Sequence, residues 1–220
     1  MMASHPIKEQ RVSAWIDPAI LALFIPTFFF VSVTPGMCMT LAMTLGMSIG
    51  LRRTLHMMWG ELVGVGLVSV LSALGVAAVM LNYPTLFHLF KYVGGAYLLW
   101  LGIQLWRSRG SMALGQASAQ SGSSAWTLAT QGFVTAIANP KGWAFMISLL
   151  PPFISTERPL GPQVTTLVAL ILLIEFSCLV LYASGGRTLR HFLARGGNVR
   201  LMNRIAGTLM MGVGIWLALG

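Results

Sequence analysis

The sequence predicts an all-α integral membrane protein, with six transmembrane helices forming a 3+3 inverted repeat in which helices 1 and 4 are broken. Three observations carry this expectation. The chain is 56% hydrophobic and 9% charged, whereas a soluble domain holds about 25% charged residues. Uncharged runs cover 18–51, 62–90 and 110–140, and a span needs roughly 20 mostly apolar residues. Finally, two of the apolar stretches carry a helix-breaking pair near the middle, Pro35-Gly36 and Asn139-Pro140.

Reading through single charges at Lys91, Lys141 and Glu175 places the spans at about 18–48, 58–81, 84–106, 126–150, 163–185 and 203–219. A mean hydropathy of +0.78 leaves too little polar surface to coat a water-soluble globule. The first apolar run is far longer than the roughly 7–15 residues of a cleaved signal peptide. Residues 1–16 read as a short polar tail, 17–107 as the first three-helix repeat, 108–124 as a Ser-, Gly-, Ala- and Gln-rich linker, and 125–220 as the second repeat. Gly60, Gly64 and Gly66, and Gly94, Gly95 and Gly102, suit close helix contacts. Cys38 and Cys178 fall inside spans at no metal or disulfide spacing and read as small apolar helix residues.

Orientation follows from the basic residues. Arg52 and Arg53 lie between spans one and two, Arg107 and Arg109 between three and four, and Arg187, Arg190, Arg195, Arg200 and Arg204 between five and six. The other side holds Lys8, Arg11, Lys91 and Arg158. Basic residues accumulate on the cytoplasmic side, so both termini are expected outside. This distribution also turns the net charge of +9 away from nucleic acid and towards membrane topology. Leu189, Phe192 and Leu193 stand at helical spacing among the last arginines, as in a helix end lying in the headgroup layer.

The two breaks are the main pointer to function. As one straight helix the first span would be about 46 Å long at about 1.5 Å per residue, against a hydrocarbon core of about 30 Å. Pro35 removes a backbone donor and Gly36 loosens the helix. The fourth span, first of the second half, repeats the device at Ala138-Asn139-Pro140-Lys141-Gly142. Because each half has an odd number of spans, the second half enters the membrane in the opposite sense. Broken helices at matching positions of inverted halves mark transporter binding sites. Their freed backbone groups must be satisfied or must line a cavity.

Two charges stand near span centres. Insertion scales put such a residue at about 2.5–3.5 kcal/mol, while each lipid-facing Leu, Ile, Val or Phe returns only about 0.3–0.6 kcal/mol. Lys141 and Glu175 therefore face a pathway or pair with each other. Glu61, about one turn inside the second span, could reach headgroups, pair with Arg52 or Arg53, cap a helix, or serve in gating or coupling. Trp143 and Tyr182 lie deeper, near the same region, with core packing as the simpler role.

Four stretches resemble the LysE/RhtB family of bacterial amino-acid exporters, across about 20–218. They are Thr34-Pro35-Gly36; the run 91–102 with Tyr92, Gly94, Gly95, Tyr97, Trp100 and Gly102; Asn139-Pro140-Lys141 followed by Leu149, Leu150, Pro151, Pro152 and Phe153; and Glu175 followed by Tyr182. The resemblance implies a six-span, multi-pass inner-membrane exporter driven by proton antiport; with the orientation given by the basic residues, its termini would be periplasmic and the 108–124 linker cytoplasmic. It also implies that Pro35, Gly36, Asn139, Pro140, Lys141 and Glu175 surround the transport site, with Thr34 and Tyr182 beside them in the motifs. The family often continues Pro-Gly-Pro and then Asp or Asn. Met37 and Cys38 stand there instead, which leans towards a neutral or apolar amino acid or another small amphiphile.

The expected partners are thus a small-molecule substrate of the amino-acid type, protons and membrane lipid, with a homodimer as one assembly and no nucleic acid. No cofactor or metal is expected, and no ATP-binding motif is found, so coupling must come from an ion gradient or a partner. The competing class is an intramembrane enzyme or a membrane assembly factor. An enzyme needs a nucleophile with a base or a metal set, and the spacing shows neither. A scaffold has no use for two central charges.

Overall fold

The computed structural model describes residues 16–108, 123–155, 157–194 and 196–219. Among them the helices are α1 (Pro18–Val33), α2 (Met37–Ile49), α3 (Leu51–Asn82), α4 (Pro84–Arg107), α5 (Ala125–Ile137), α6 (Pro140–Leu149), α7 (Leu160–Ala194) and α8 (Gly196–Leu219), with a short 3-10 turn at Pro151–Phe153. The tail expected at 1–16 and the linker expected at 108–124 lie almost entirely outside the described residues.

Local chemistry explains the helix ends. Asp17 caps α1, accepting from the Ala19 N–H at 2.8 Å, and Pro18 takes the first helical position, where no donor is needed. Ser124 caps α5 in the same way, through the Thr127 N–H at 3.1 Å. Thr34 is extended at φ −67, ψ 127 because Pro35 follows it. The α1 helix therefore stops, and α2 resumes after Gly36 at a bend of 56°. Asn139 is extended for the same reason, ahead of Pro140, and separates α5 from α6. Both expected breaks are present. Pro26, inside α1, interrupts nothing.

Two glycines take backbone conformations that suit no other residue. Gly50 at φ 78 turns the chain from α2 into α3, and Gly186 at φ 44 kinks α7.

By length and composition, among the described residues, two stretches can each cross a membrane, Leu51–Val79 and Leu160–Gly186, and the bent α1–α2 pair makes up to three. Packing runs in a regular pattern. The α4 helix lies along α8, α3 along α5, and α7 along α2 with a smaller contact to α1. Glycines set these approaches. A Cβ on Gly95 would lie 2.8 Å from the Gly214 carbonyl oxygen, and one on Gly214 would lie 2.8 Å from that of Gly95. Close backbone approach of this kind replaces the hydrophobic driving force that lipid does not supply.

Two helix limits correct the sequence reading. The α3 helix begins at Leu51 rather than near 58, so Arg52 and Arg53 form its first turn rather than a loop. The region expected to link spans five and six is helical almost throughout, as the end of α7 and the start of α8. Arginine is a good helix former, so a charge marks the edge of the lipid and not the end of a helix. Leu193 is buried in the core with Val199, while Phe192 is exposed. Arg204 stacks over the Trp106 ring at 4.8 Å, and the Asn203 side-chain amide donates to Ser108 Oγ at 2.9 Å. These contacts tie the end of α4 to α8.

Candidate functional site

The apolar interior divides into two clusters. One is built on Phe24, Phe28, Phe145, Leu149 and Leu167, the other on Met43, Met57, Leu128, Leu179 and Tyr182. Between them, lined by members of both, is a cavity of about 120 Å³. That is near the size of engineered cavities of about 150 Å³ that take up benzene.

Both helix breaks open onto this space. Thr34 and Gly36 from the first break and Asn139 and Gly142 from the second line it, together with Ser32, Cys38, Glu61 and Glu175. Its apolar wall comes from Phe28, Val65, Val68, Phe145 and Met146. Helices α2 and α6 start at the breaks, and no side-chain hydrogen bond caps either start. Their first N–H groups and dipoles favour an anion.

Each broken end is held by an aromatic donor. Tyr182 is fully buried on α7, and its hydroxyl donates to the Val33 carbonyl at 2.7 Å, where α1 ends. Trp143 on α6 donates its indole N–H to the Ile137 carbonyl at 3.0 Å, where α5 ends. Carbonyls freed by the breaks thus find partners without refilling the helix. Core packing, the simpler role expected of these two residues, understates what they do.

The acids form the centre. Ser32 Oγ donates to Glu175 Oε2 at 2.7 Å, which joins α1 to α7 just before the first break. Glu61 corrects the sequence reading. It lies ten residues into α3 and is 0% exposed. It therefore reaches no headgroup, pairs with neither Arg52 nor Arg53 and caps no helix. Its carboxyl adjoins the thiol of Cys38 and the carboxyl of Glu175, and neither of its oxygens has a hydrogen-bond partner. The span was expected to start near 58, which put Glu61 near the membrane face. With the helix starting at Leu51, it is two turns deeper.

The remaining expected residues are placed as follows. Pro35 stands inside the first break, at the edge of the cavity lining. Pro140 and Lys141 are the first two residues of α6, and their side chains lie outside the described residues, so the expected Lys141–Glu175 pairing does too. Sequence reasoning passed over Ser32 and read Cys38 only as a small apolar helix residue. Ser32 could have been found three residues before Pro35, on the face of α1 that leads into the break. Cys38 carried no signal beyond replacing a polar residue of the family pattern.

Comparison with known proteins identifies the family. The LysE type translocator family matches residues 29–220, and the chain belongs to that family. It is 28% identical to an uncharacterized membrane protein of Vibrio cholerae, covering 92% of this chain and 98% of the relative. It is also 28% identical to a homoserine/homoserine lactone efflux protein of Salmonella typhimurium, covering 89% and 94%. A leucine efflux protein of an Enterobacter species is 28% identical over 86% of this chain and 90% of its own length. No solved structure matches the chain.

Proposed function

We propose that this protein is a secondary transporter that exports a small neutral amino acid from the cytoplasm by proton antiport. The observation that carries the reading is the convergence of two helix breaks and two buried carboxyls on one cavity. Similarity to proteins named for homoserine and leucine efflux supports the substrate class. The wall of Phe28, Val65, Val68, Phe145 and Met146 suits an apolar side chain, and Met37 and Cys38 add no charge beside it.

In this reading the substrate carboxylate sits at the starts of α2 and α6, with Lys141 as its cation. Glu175 takes the transported proton. The substrate and proton occupy the site in turn, which couples export to proton entry. Cells carrying the protein and lacking their own exporters should lower intracellular leucine or homoserine, and a dissipated proton gradient should stop this. Methyl esters of the exported amino acid should fail to compete for efflux. Lys141→Met should weaken competition by the free acid while leaving the protein level unchanged. Esters that compete as well as free acids would remove the carboxylate site from the proposal.

The proposed arrangement in the membrane is six spans in two inverted halves, 17–107 and 125–220, in the inner membrane. The pairing supports it: the third helices of the two halves, α4 and α8, pack on each other, and the second helix of each half packs on the broken first helix of the other. The arginine distribution supports an orientation with both termini in the periplasm. A phosphatase reporter fused after Gly220 should be active in the periplasm, and one fused within 108–124 should be inactive there. The reverse pattern would turn the proposed topology over.

A further inference from the structure

Glu61 and Glu175 share the cavity but are not equivalent. One oxygen of Glu175 already holds the Ser32 hydroxyl at 2.7 Å. Glu61 is completely buried, lines the cavity, and has no partner for either oxygen. Leaving a buried polar acceptor unpaired costs more than the bond itself returns, so such a group suits a donor that visits it. The visitor must be a donor. Among the described residues the lining contains no Lys or Arg, and no group of three or more His, Cys, Asp or Glu side chains is placed to hold a metal ion. A small organic cation with an apolar body fits: an ammonium at Glu61 would leave that body against Val65 and Val68, one and two turns further along the same helix.

We infer that Glu61 is the binding residue for the ammonium group of the transported molecule, and that the two acids divide the work, the ammonium going to Glu61 and the proton to Glu175. This rests on the exporter reading above and adds a residue and a chemistry to it. The site then recognises primary alkylammonium compounds even without a carboxylate, and rejects amino acids whose nitrogen is acylated.

The test uses the purified full chain in detergent and three probes: leucine, 3-methylbutylamine and N-acetylleucine, with binding followed by calorimetry. Wild type should bind the first two and not the third. Glu61→Gln should weaken amine binding at least tenfold more than Glu175→Gln does. Equal losses in the two variants, a larger loss in Glu175→Gln, binding of N-acetylleucine, or no amine binding by wild type would each overturn the inference. A second measurement avoids any dependence on folding of the Glu61 variant. In a Cys178→Ala chain the Cys38 thiol, which adjoins Glu61, should be shielded from a methanethiosulfonate reagent by 3-methylbutylamine and not by N-acetylleucine. Equal labelling with and without the amine would count against the site. Because amine binding is read without transport, the exporter reading can fail on its own, as when amine binds at Glu61 while no amino acid leaves the cell. Likewise, leucine export that survives Glu61→Gln would sink the Glu61 assignment alone.

Discussion

Gly132→Val is expected to remove folded protein from the membrane fraction almost completely. The α3–α5 contact is the reason. A side chain at Gly132 would run into the Met57 carbonyl and come within 2.9 Å of the Glu61 backbone nitrogen. Across the same seam, one at Gly60 would run into the Ala129 carbonyl, and one at Gly64 would meet the Ala136 methyl at 2.7 Å. The obstructing atoms at Gly132 and Gly60 belong to the backbone of a neighbouring helix and cannot turn aside as a flexible side chain would. Overpacking a tight contact costs about 1–3 kcal/mol and occasionally more, and the whole stability of a domain is about 5–15 kcal/mol. Gly75 and Gly212 provide the controls, since nothing lies within 4 Å of a Cβ at either. Gly75→Ala and Gly212→Ala should change stability by no more than about 1 kcal/mol, and in the favourable direction, because Ala is the better helix former. Size-exclusion profiles and thermal unfolding of the solubilised variants measure the difference. A monodisperse Gly132→Val protein of unchanged melting temperature would show that the seam is looser than its geometry.

The same seam explains why parts of the molecule could be read from the sequence and others could not. Apolar runs and helix-breaking pairs act locally, so Pro35-Gly36 and Asn139-Pro140 announced both breaks, and the breaks lie within a residue or two of the expected places. Glu175 and Thr34 stood out in the sequence because they sit beside these features or at the centre of an unmistakable apolar run, and both line the cavity. Glu61 declared itself only in part, as a candidate gating or coupling residue among several simpler roles. Its depth depends on where α3 starts, and Arg52 and Arg53 hid that start by looking like a loop. Its burial depends on α5 lying against it at Gly132, a contact between residues far apart in the chain. The hydrogen bonds from Ser32 to Glu175 and from Tyr182 to Val33 likewise join residues more than a hundred positions apart. No periodicity in the sequence records a pairing of that kind.

Glu175→Gln is expected to abolish efflux driven by a proton gradient while leaving the protein at its normal level in the membrane. The substitution keeps the shape of the side chain. Its amide oxygen can still accept from Ser32 Oγ, which now donates to Glu175 Oε2 at 2.7 Å, so the link between α1 and α7 survives. What the amide cannot do is bind and release a proton. If Glu175 carries the coupled proton, transport should fall to background even though the cavity, the breaks and Glu61 are intact. The structural alternative gives a different pattern. If Glu175 serves chiefly to hold α1 against α7, then Glu175→Gln, the shape-matched amide, should keep most of the function, and Ser32→Ala, which removes the donor, should damage the protein more. Proteoliposomes with an imposed pH gradient separate the two, since efflux and protein content are read from the same preparation. Full efflux by Glu175→Gln would move the coupling role to Glu61, the other carboxyl in the cavity. Loss of protein and efflux together would show that folding itself needs the Glu175 carboxyl, as in a structural ion pair, and would remove the coupling assignment. Exchange of labelled amino acid across liposomes with no pH gradient adds a sharper distinction: a pure coupling residue, once neutralised, should stop net proton-driven export while still permitting such exchange, because binding at Glu61 and movement about the two breaks do not require the lost proton.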